Sequence, residues 1–109
     1  MIYKILITAQ AEADIREAFT WWRDHRSVEQ AERWLNKIYP AIATLIKFPH
    51  RCPHAPETDL IPAGLCELHF GVSRKTTHRI VYTIDGDSVI ILRVRHVARQ
   101  DLTAEDISL

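Results

Sequence analysis

Basic side chains that could bind an anion or move a proton are concentrated in the last third of this sequence. They are Arg74, Lys75, His78, Arg79, Arg93, Arg95, His96 and Arg99. Arginine forks bind phosphate, and arginine, lysine and histidine together could cleave RNA by activating a 2′-hydroxyl. The simpler alternative is that these are strand positions that prevent edge aggregation, or partners of Glu67, Asp85 and Asp87. The residues alone favour this alternative, and Arg79, Arg93, Arg95 and Arg99 are expected to face solvent, a partner or an anion.

A second group of chemistry-bearing side chains contains histidine and cysteine: His50, Cys52, His54, Cys66 and His69. Zinc binds such ligands, but Cys-x-His followed by Cys-x2-His is not a standard structural-zinc spacing. The sequence also contains no nucleophile elbow, no phosphate-binding glycine loop and no Ser-x-x-Lys pattern. We therefore expect no metal and no cofactor, with both cysteines reduced and half-buried.

The overall charge is balanced, with 14 basic and 14 acidic residues in a chain of 109. Residues 65–99 hold six basic and three acidic residues, whereas residues 100–109 hold three acidic residues and no basic one. This asymmetry is too weak for a nucleic-acid-binding protein with a dense basic face. The apolar runs are too short to span a membrane and the N-terminus does not resemble a signal peptide, so we expect a cytoplasmic protein with no membrane partner.

An opening strand and two amphipathic helices are predicted ahead of the basic region. After the alternating residues 2–8, apolar residues recur at helical spacing at positions 11, 15, 18, 19 and 22. Trp21 lies off this stripe, so it is the aromatic residue expected to meet a partner. Ser27 is predicted to cap a second helix that continues through Pro40 with a kink, because its apolar spacing persists beyond the proline. The two helices form a predicted hairpin over residues 9–47.

The rest of the chain is predicted to form a meander of three strands. Pro49, Pro53, Pro56 and Pro62 indicate an extended loop over residues 48–64, and strands follow over residues 65–96. Asp85-Gly86 suits a type I′ turn between the last two strands. Residues 100–109 form a tail that either makes a helical turn or frays. We predict one α+β domain over residues 1–109, ordered β-α-α-β-β-β, in which an antiparallel sheet packs against an N-terminal helical hairpin.

Several segments in this order resemble the RelE/ParE toxin superfamily of bacterial type II toxin–antitoxin systems. They are Ala11-Glu12-Ala13-Asp14-Ile15, the helix exit at residues 45–53, Arg79-Ile80-Val81-Tyr82, and residues 85–89 and 92–99. The ending Arg95-His96-Val97-Ala98-Arg99 is similar to the ParE-like Arg-His-Gly-Ala-Arg, with Val97 in place of the glycine. The tail lacks the tyrosine or histidine that RelE-like nucleases use. The chain therefore looks closer to the ParE-like branch.

The resemblance implies a toxin that inhibits DNA gyrase without hydrolysis and is neutralised by a cognate antitoxin, which alone contacts operator DNA. The target-binding residues would then be Arg93, Arg95, His96, Arg99 and Trp21. A RelE-like endoribonuclease that cuts mRNA on the ribosome is the alternative. Its catalytic residues would be Arg79 and Arg99, assisted by Lys75 or His78. A third hypothesis is a non-toxic binding module of the same fold.

Overall fold

A computed structural model describes residues 1–107 of the chain, in which two helices pack on one face of a four-stranded sheet. The elements are β1 (Lys4–Ile7), α1 (Ala9–His25), α2 (Val28–Ala43), β2 (Cys66–Phe70), β3 (His78–Asp85) and β4 (Ser88–His96). This confirms the predicted α+β class and element order. Ser108 and Leu109, the end of the predicted tail, lie outside the described residues. No helix in residues 1–107 is long and apolar enough to cross a membrane.

The helices begin at side-chain caps and bury the predicted stripes. Thr8 accepts a hydrogen bond from the N–H of Ala11, and Ser27 accepts one from the N–H of Gln30, as predicted for the second helix. Helix α2 runs through Pro40 to Ala43, so the prediction of one helix rather than two is confirmed. The α2 stripe is buried against the sheet at Ala31, Trp34, Ile38, Ile42 and, just past the helix, Leu45.

The sheet has the strand order β1-β4-β3-β2. Strands β2, β3 and β4 form the predicted antiparallel meander, but β1 pairs with β4 in parallel, so the sheet is not antiparallel throughout. The long connection between β1 and β4, which contains two helices, a loop and two strands, allows this parallel pairing. The turn between β3 and β4 is not the type I′ turn that the sequence predicts. Its loop is Gly86-Asp87, and only Gly86 has a positive φ, as a type II′ turn requires.

A register shift in the last hairpin changes the direction of the arginines on β4. Val81 pairs with Arg93 but Tyr82 pairs with Ile91, so Leu92 is an extra residue in β4. Val89 and Ile91 before the bulge face the helices. Without the bulge, strict alternation would place Arg93 and Arg95 on that same face. With it, both arginines lie on the opposite face.

This opposite face, called the second face below, is covered by the loop at residues 48–64 and by the tail. Its apolar cluster consists of buried residues from the loop, the sheet and the tail: Ala55, Leu65, Val81, Leu92 and Leu102. The loop is not simply extended as predicted, because it contains short 3-10 turns at Pro49–Arg51 and Thr58–Leu60. The tail makes another such turn at Ala104–Asp106. Both faces of the sheet are therefore packed within one chain.

Candidate functional site

A groove lies between α1 and the part of β4 that extends beyond β1, and we call it the α1–β4 groove. Its volume is about 610 Å³, within the range of small-molecule and peptide pockets. Helix α1, the turn before β3 and the end of β4 all contribute to it. The side chains that matter for its chemistry are Trp21, Trp22, Lys75, His78, His96 and Arg99.

The α1 wall of the groove is aromatic. Trp21 is 46% exposed and its ring packs edge-on against Trp22 at 5.3 Å between ring centres. His25 stacks on Trp21 with ring centres 4.7 Å apart, and the Arg26 guanidinium lies over the same ring at 5.8 Å. Trp21 and Trp22 are neighbours in the sequence, so the helix directs one ring towards solvent and the other towards the core. The prediction that Trp21 lies off the buried stripe is confirmed.

The turn between β2 and β3 places Lys75 on the rim of the groove. Gly71 allows this turn to close, because a Cβ atom at position 71 would lie 2.1 Å from the carbonyl oxygen of Lys75. The N–H of Thr77 donates to the carbonyl of Phe70 at 3.0 Å and fixes the other side of the turn. A side chain at position 71 would therefore displace the backbone that carries Lys75.

The end of β4 places Arg99 opposite the aromatic wall. The N–H of Arg99 donates to the carbonyl of His96 at 3.0 Å, and the N–H of Ala98 donates to Nδ1 of His96 at the same distance. Val97 stands where the related ParE-like ending has glycine. No residue other than glycine has a positive φ within residues 1–107, so Val97 enters this turn without backbone strain.

His78 forms part of the groove floor and is buried. Burial, followed by the nearby His96 ring at 5.2 Å, lowers the pKa of His78 to about 4. Its ring packs edge-on against Trp34 at 5.1 Å, and its Nδ1 lies 2.9 Å from the Thr77 hydroxyl. His78 is therefore uncharged at neutral pH, which makes it a weak proton acceptor and no proton donor.

Arg79 lies on the second face and is only 6% exposed, so of the three expected surroundings (solvent, a partner or an anion) it meets an anion within the chain. Its guanidinium forms a two-pronged ion pair with the Glu57 carboxylate and a longer contact of 3.4 Å with Glu67. Glu57 also accepts the N–H of Leu102 at 2.8 Å. Burial alone would raise the pKa of Glu57, but the hydrogen bonds from Arg79 and Leu102 outweigh it and lower the pKa to about 2.

Arg93 and Arg95 also make their polar contacts within the chain. Arg93 donates to both oxygens of the Asp14 carboxylate at 2.7 and 2.9 Å, and this carboxylate also accepts the N–H of Val94. Arg95 is 9% exposed and donates to the carbonyl of Gln100 at 3.1 and 3.2 Å, rather than facing solvent or an anion as expected. Burial and the nearby Arg99 lower the pKa of Arg95.

The structure thus divides the candidate catalytic and target-binding residues that the sequence singled out. Trp21, Lys75, His78, His96 and Arg99 line one groove, whereas Arg79, Arg93 and Arg95 lie on the second face. Glu67 pairs with Arg79, which agrees with the alternative that the strand arginines are partners of nearby carboxylates. Asp87 instead pairs with Lys4 at 3.8 Å.

Sequence reasoning missed Asp14 and Glu57 as partners of the sheet arginines. Asp14 gave no separate signal, because the helix dipole favours an acidic residue near the start of any helix. For Glu57 the sequence offered no signal that separates it from Asp59, the other carboxylate of the same proline-rich loop.

The comparisons with known proteins agree with this geometry. The family model for the ParE toxin of the type II toxin–antitoxin system parDE matches residues 5–101. This chain belongs to the ParE toxin family. The ParE-like branch of the predicted superfamily is thereby confirmed, and the chain is the toxin component of a toxin–antitoxin system.

A solved structure described as the chromosomal ParDE toxin–antitoxin system from P. aeruginosa has the same fold. Its TM-score is 0.71 at 17% sequence identity, and the match covers 88% of this chain and 97% of the other. A comparison with curated proteins finds no match. The fold of this ParE-family toxin is thus maintained at low sequence identity.

Proposed function

We propose that this ParE-family toxin inhibits DNA gyrase by binding it through the α1–β4 groove, without hydrolysing a substrate. Trp21, His96 and Arg99 form the contact surface, with Lys75 on its rim. Arg93 and Arg95 support this surface from the second face rather than contacting the target. Exposed aromatic and arginine side chains beside a pocket are the residue types that dominate protein interfaces. The protein acts in the cytoplasm, where its target is found.

The observation that carries this proposal is the separation of Arg79 from Arg99. An endoribonuclease of the RelE type would need both guanidiniums near one phosphate, but the buried ion pair with Glu57 holds Arg79 on the second face. That pair also neutralises the charge that would stabilise a transition state. Uncharged His78 is a weak proton acceptor at neutral pH. These contacts argue against RNA cleavage and favour binding.

A cognate antitoxin is the second partner in this proposal. ParE toxins belong to a toxin–antitoxin pair, and the encoded partner is expected beside the toxin gene. We propose that a disordered segment of the antitoxin folds onto the toxin, and that operator DNA is contacted by the antitoxin alone. Co-expression with the neighbouring gene product should yield a stable complex, and failure to do so would contradict this assignment.

Induced expression in bacteria tests the choice of target. The proposal predicts filamentous cells with DNA-damage signalling, and purified protein should inhibit DNA supercoiling by gyrase. Trp21→Ala and Arg99→Glu should abolish both effects. Arg33→Glu, an equal charge change at an exposed α2 position outside the groove, should leave them intact.

Three other outcomes would overturn the proposal. Prompt translation arrest with new RNA 5′ ends and undamaged DNA would indicate the endoribonuclease. Growth unaffected by expression without antitoxin would indicate a non-toxic binding module. Retention of gyrase inhibition by Arg99→Glu would place the contact surface elsewhere on the toxin.

A further inference from the structure

A second surface with exposed basic and aromatic side chains lies where helix α2 ends. We call it the Phe48 surface, and its residues, all exposed, are Lys37, Lys47, Phe48, His50 and Arg51. Residues 33–56, which contain this surface, hold four lysine and arginine residues, two histidines and no acidic residue. The Tyr82 hydroxyl donates to the carbonyl of Pro49 at 2.5 Å, so the surface lies towards the far end of β3 from His78 and the α1–β4 groove. It is therefore separate from the groove.

The Arg51 guanidinium on this surface is held in place by uncharged groups. Its Nη1 donates to the carbonyls of Thr44 and Phe48 at 3.2 and 3.1 Å, and its Nη2 donates to the Thr44 hydroxyl at 2.8 Å. Within residues 1–107 it forms no ion pair with a carboxylate, and Asp87 at this end of the sheet is already paired with Lys4. The charge of Arg51 is thus fixed in direction without being neutralised, which suits it to bind a phosphate.

Two lysines extend this charge into a short row. Lys37 and Thr44 are seven positions apart, so they lie on the same side of α2 and its 3-10 continuation, about 10 Å apart along the axis. Arg51 reaches Thr44, and Lys47 follows Thr44 after one 3-10 turn. The row is shorter than the basic face of a duplex-binding protein, but it can follow a few phosphates.

The Phe48 ring stands beside this row and is free to stack. Its side chain is 70% exposed, the largest exposed fraction of any aromatic residue within residues 1–107, although the next residue, Pro49, is buried. The ring of Trp21, by contrast, is covered by His25 and Arg26. Phe48 therefore offers the open aromatic face that stacking of a nucleobase requires.

The composition of this surface favours a single strand of nucleic acid over a protein or a duplex. The core of a protein interface is depleted of charged residues, but Phe48 is flanked by Lys47 and Arg51. A duplex hides the faces of its bases, so it could use the cations but not the ring. A single strand presents phosphates and base faces together, and it can use both.

We propose that the Phe48 surface binds single-stranded DNA, with one base stacked on the Phe48 ring and the adjoining phosphates bound by Arg51, Lys47 and Lys37. The inference goes beyond the proposed function, because it assigns a ligand to a surface outside the groove and does not require gyrase as the target. With both surfaces, one toxin molecule can contact a DNA-processing enzyme through the groove and an unpaired DNA strand through the Phe48 surface. Duplex operator DNA offers no free base face, so its contact stays with the antitoxin.

Fluorescence anisotropy on the full-length protein tests the proposal. The probe is a labelled oligothymidylate of about 15 nucleotides, titrated at several salt concentrations. Three phosphate contacts predict that the logarithm of the association constant falls with the logarithm of the salt concentration with a slope of about −2. Phe48→Ala should weaken binding about tenfold through the loss of one stacked base. Lys47→Glu should reduce the magnitude of the slope by about 0.7, a change that loss of structure alone would not produce.

Two control variants separate this surface from the rest of the protein. Arg33→Glu makes the same charge change on α2, at a position spaced to pair with Glu29 rather than to join the row, and it should leave affinity and salt dependence unchanged. Trp21→Ala alters the groove and should also leave oligothymidylate binding unchanged. Urea denaturation of each variant confirms that it is folded, as expected for exposed positions.

Four outcomes would overturn the proposal. They are no binding of oligothymidylate at low salt, full affinity in Phe48→Ala, an equal loss in Arg33→Glu and Lys47→Glu, and loss of binding in Trp21→Ala. Equal competition by a duplex of the same length would also do so, because it would mean charge attraction without stacking. Tighter binding of an oligouridylate would overturn the assignment to DNA. The assay contains no gyrase, so its failure is distinct from failure of the supercoiling assay.

Discussion

The second face of the sheet and the α1–β4 groove carry the same residue types but use them differently. On the second face, the loop at residues 48–64 and the tail cover Arg79, and Glu57 neutralises it. In the groove, Arg99 and Lys75 remain exposed beside aromatic rings. Arginines four positions apart, Arg95 and Arg99, thus belong to different environments. An arginine-rich strand therefore does not indicate function until its carboxylate partners are known.

The largest expected effect is on the second face. Replacing Glu57 by alanine leaves the Arg79 guanidinium buried without its main counterion, and it also removes the acceptor of the Leu102 N–H. We expect Glu57→Ala to lower the free energy of unfolding by about 3–5 kcal/mol, measured by urea denaturation. Asp87→Ala removes an exposed partner of Lys4 and should cost at most about 1 kcal/mol. Similar costs for both variants would contradict a difference between buried and exposed ion pairs.

The tail should contribute the next largest effect, because it closes the apolar cluster of the second face. Leu102→Ala would leave a cavity beside Val81 and Leu92 and should cost about 2–4 kcal/mol. Ile2→Ala, at a position that is 73% exposed, is the control and should change stability by at most about 0.5 kcal/mol. Thermal and urea unfolding both measure this difference. A neutral Leu102→Ala would mean that the tail does not stabilise the second face.

Acidification should lower the free energy of unfolding through the second face and through the groove over two different pH ranges. The pKa of Glu57 falls from 4.5 to about 2 on folding, so its stabilisation is present above pH 4.5 and is lost as the pH falls towards 2. The pKa of His78 falls from 6.5 to about 4, so protonation favours the unfolded chain over that higher window. Each window should account for roughly 1–3 kcal/mol, given that solvent screening reduces both effects.

Single substitutions identify the titrating group that is responsible for each of these pH ranges. Glu57→Gln should reduce the dependence of stability on pH between 4.5 and 2, and His78→Asn should reduce that between 6.5 and 4. Unfolding free energies measured across this pH range provide the test. If either variant kept the full pH dependence of the parent protein, the carboxylate or the imidazole named here would not be the titrating group.

The smallest effect on stability is expected in the groove. Arg99 is exposed and bonds the rest of the fold through its backbone, so Arg99→Glu should change the free energy of unfolding by at most about 0.5 kcal/mol. The same variant should nevertheless lose growth arrest if the groove contacts the target. Thermal unfolding and induced expression of the same variant measure the two properties. If Arg99→Glu lowered the free energy of unfolding substantially, the groove would not differ from the second face in its contribution to stability.

Local pattern alone was sufficient for much of the architecture. The stripes of both helices, the Ser27 cap, the continuation of α2 through Pro40 and the three-stranded meander follow from periodicities of 3.6 and 2. The off-stripe position of Trp21 followed in the same way, because helical spacing fixes the direction of each side chain. The ordered segments also resembled the RelE/ParE superfamily closely enough to predict the ParE-like branch, which the family match confirmed.

Only the tertiary structure decided which basic residues are available to a partner. The extra residue Leu92 shifts the alternation of β4, so Arg93 and Arg95 change faces in a way that strict period-2 reading cannot anticipate. Asp14 and Glu57 reach their arginines across 79 and 22 positions of sequence, and no local pattern encodes such pairings. The sequence determines the elements because they depend on near neighbours, whereas charge pairing depends on which distant segments the fold brings into contact.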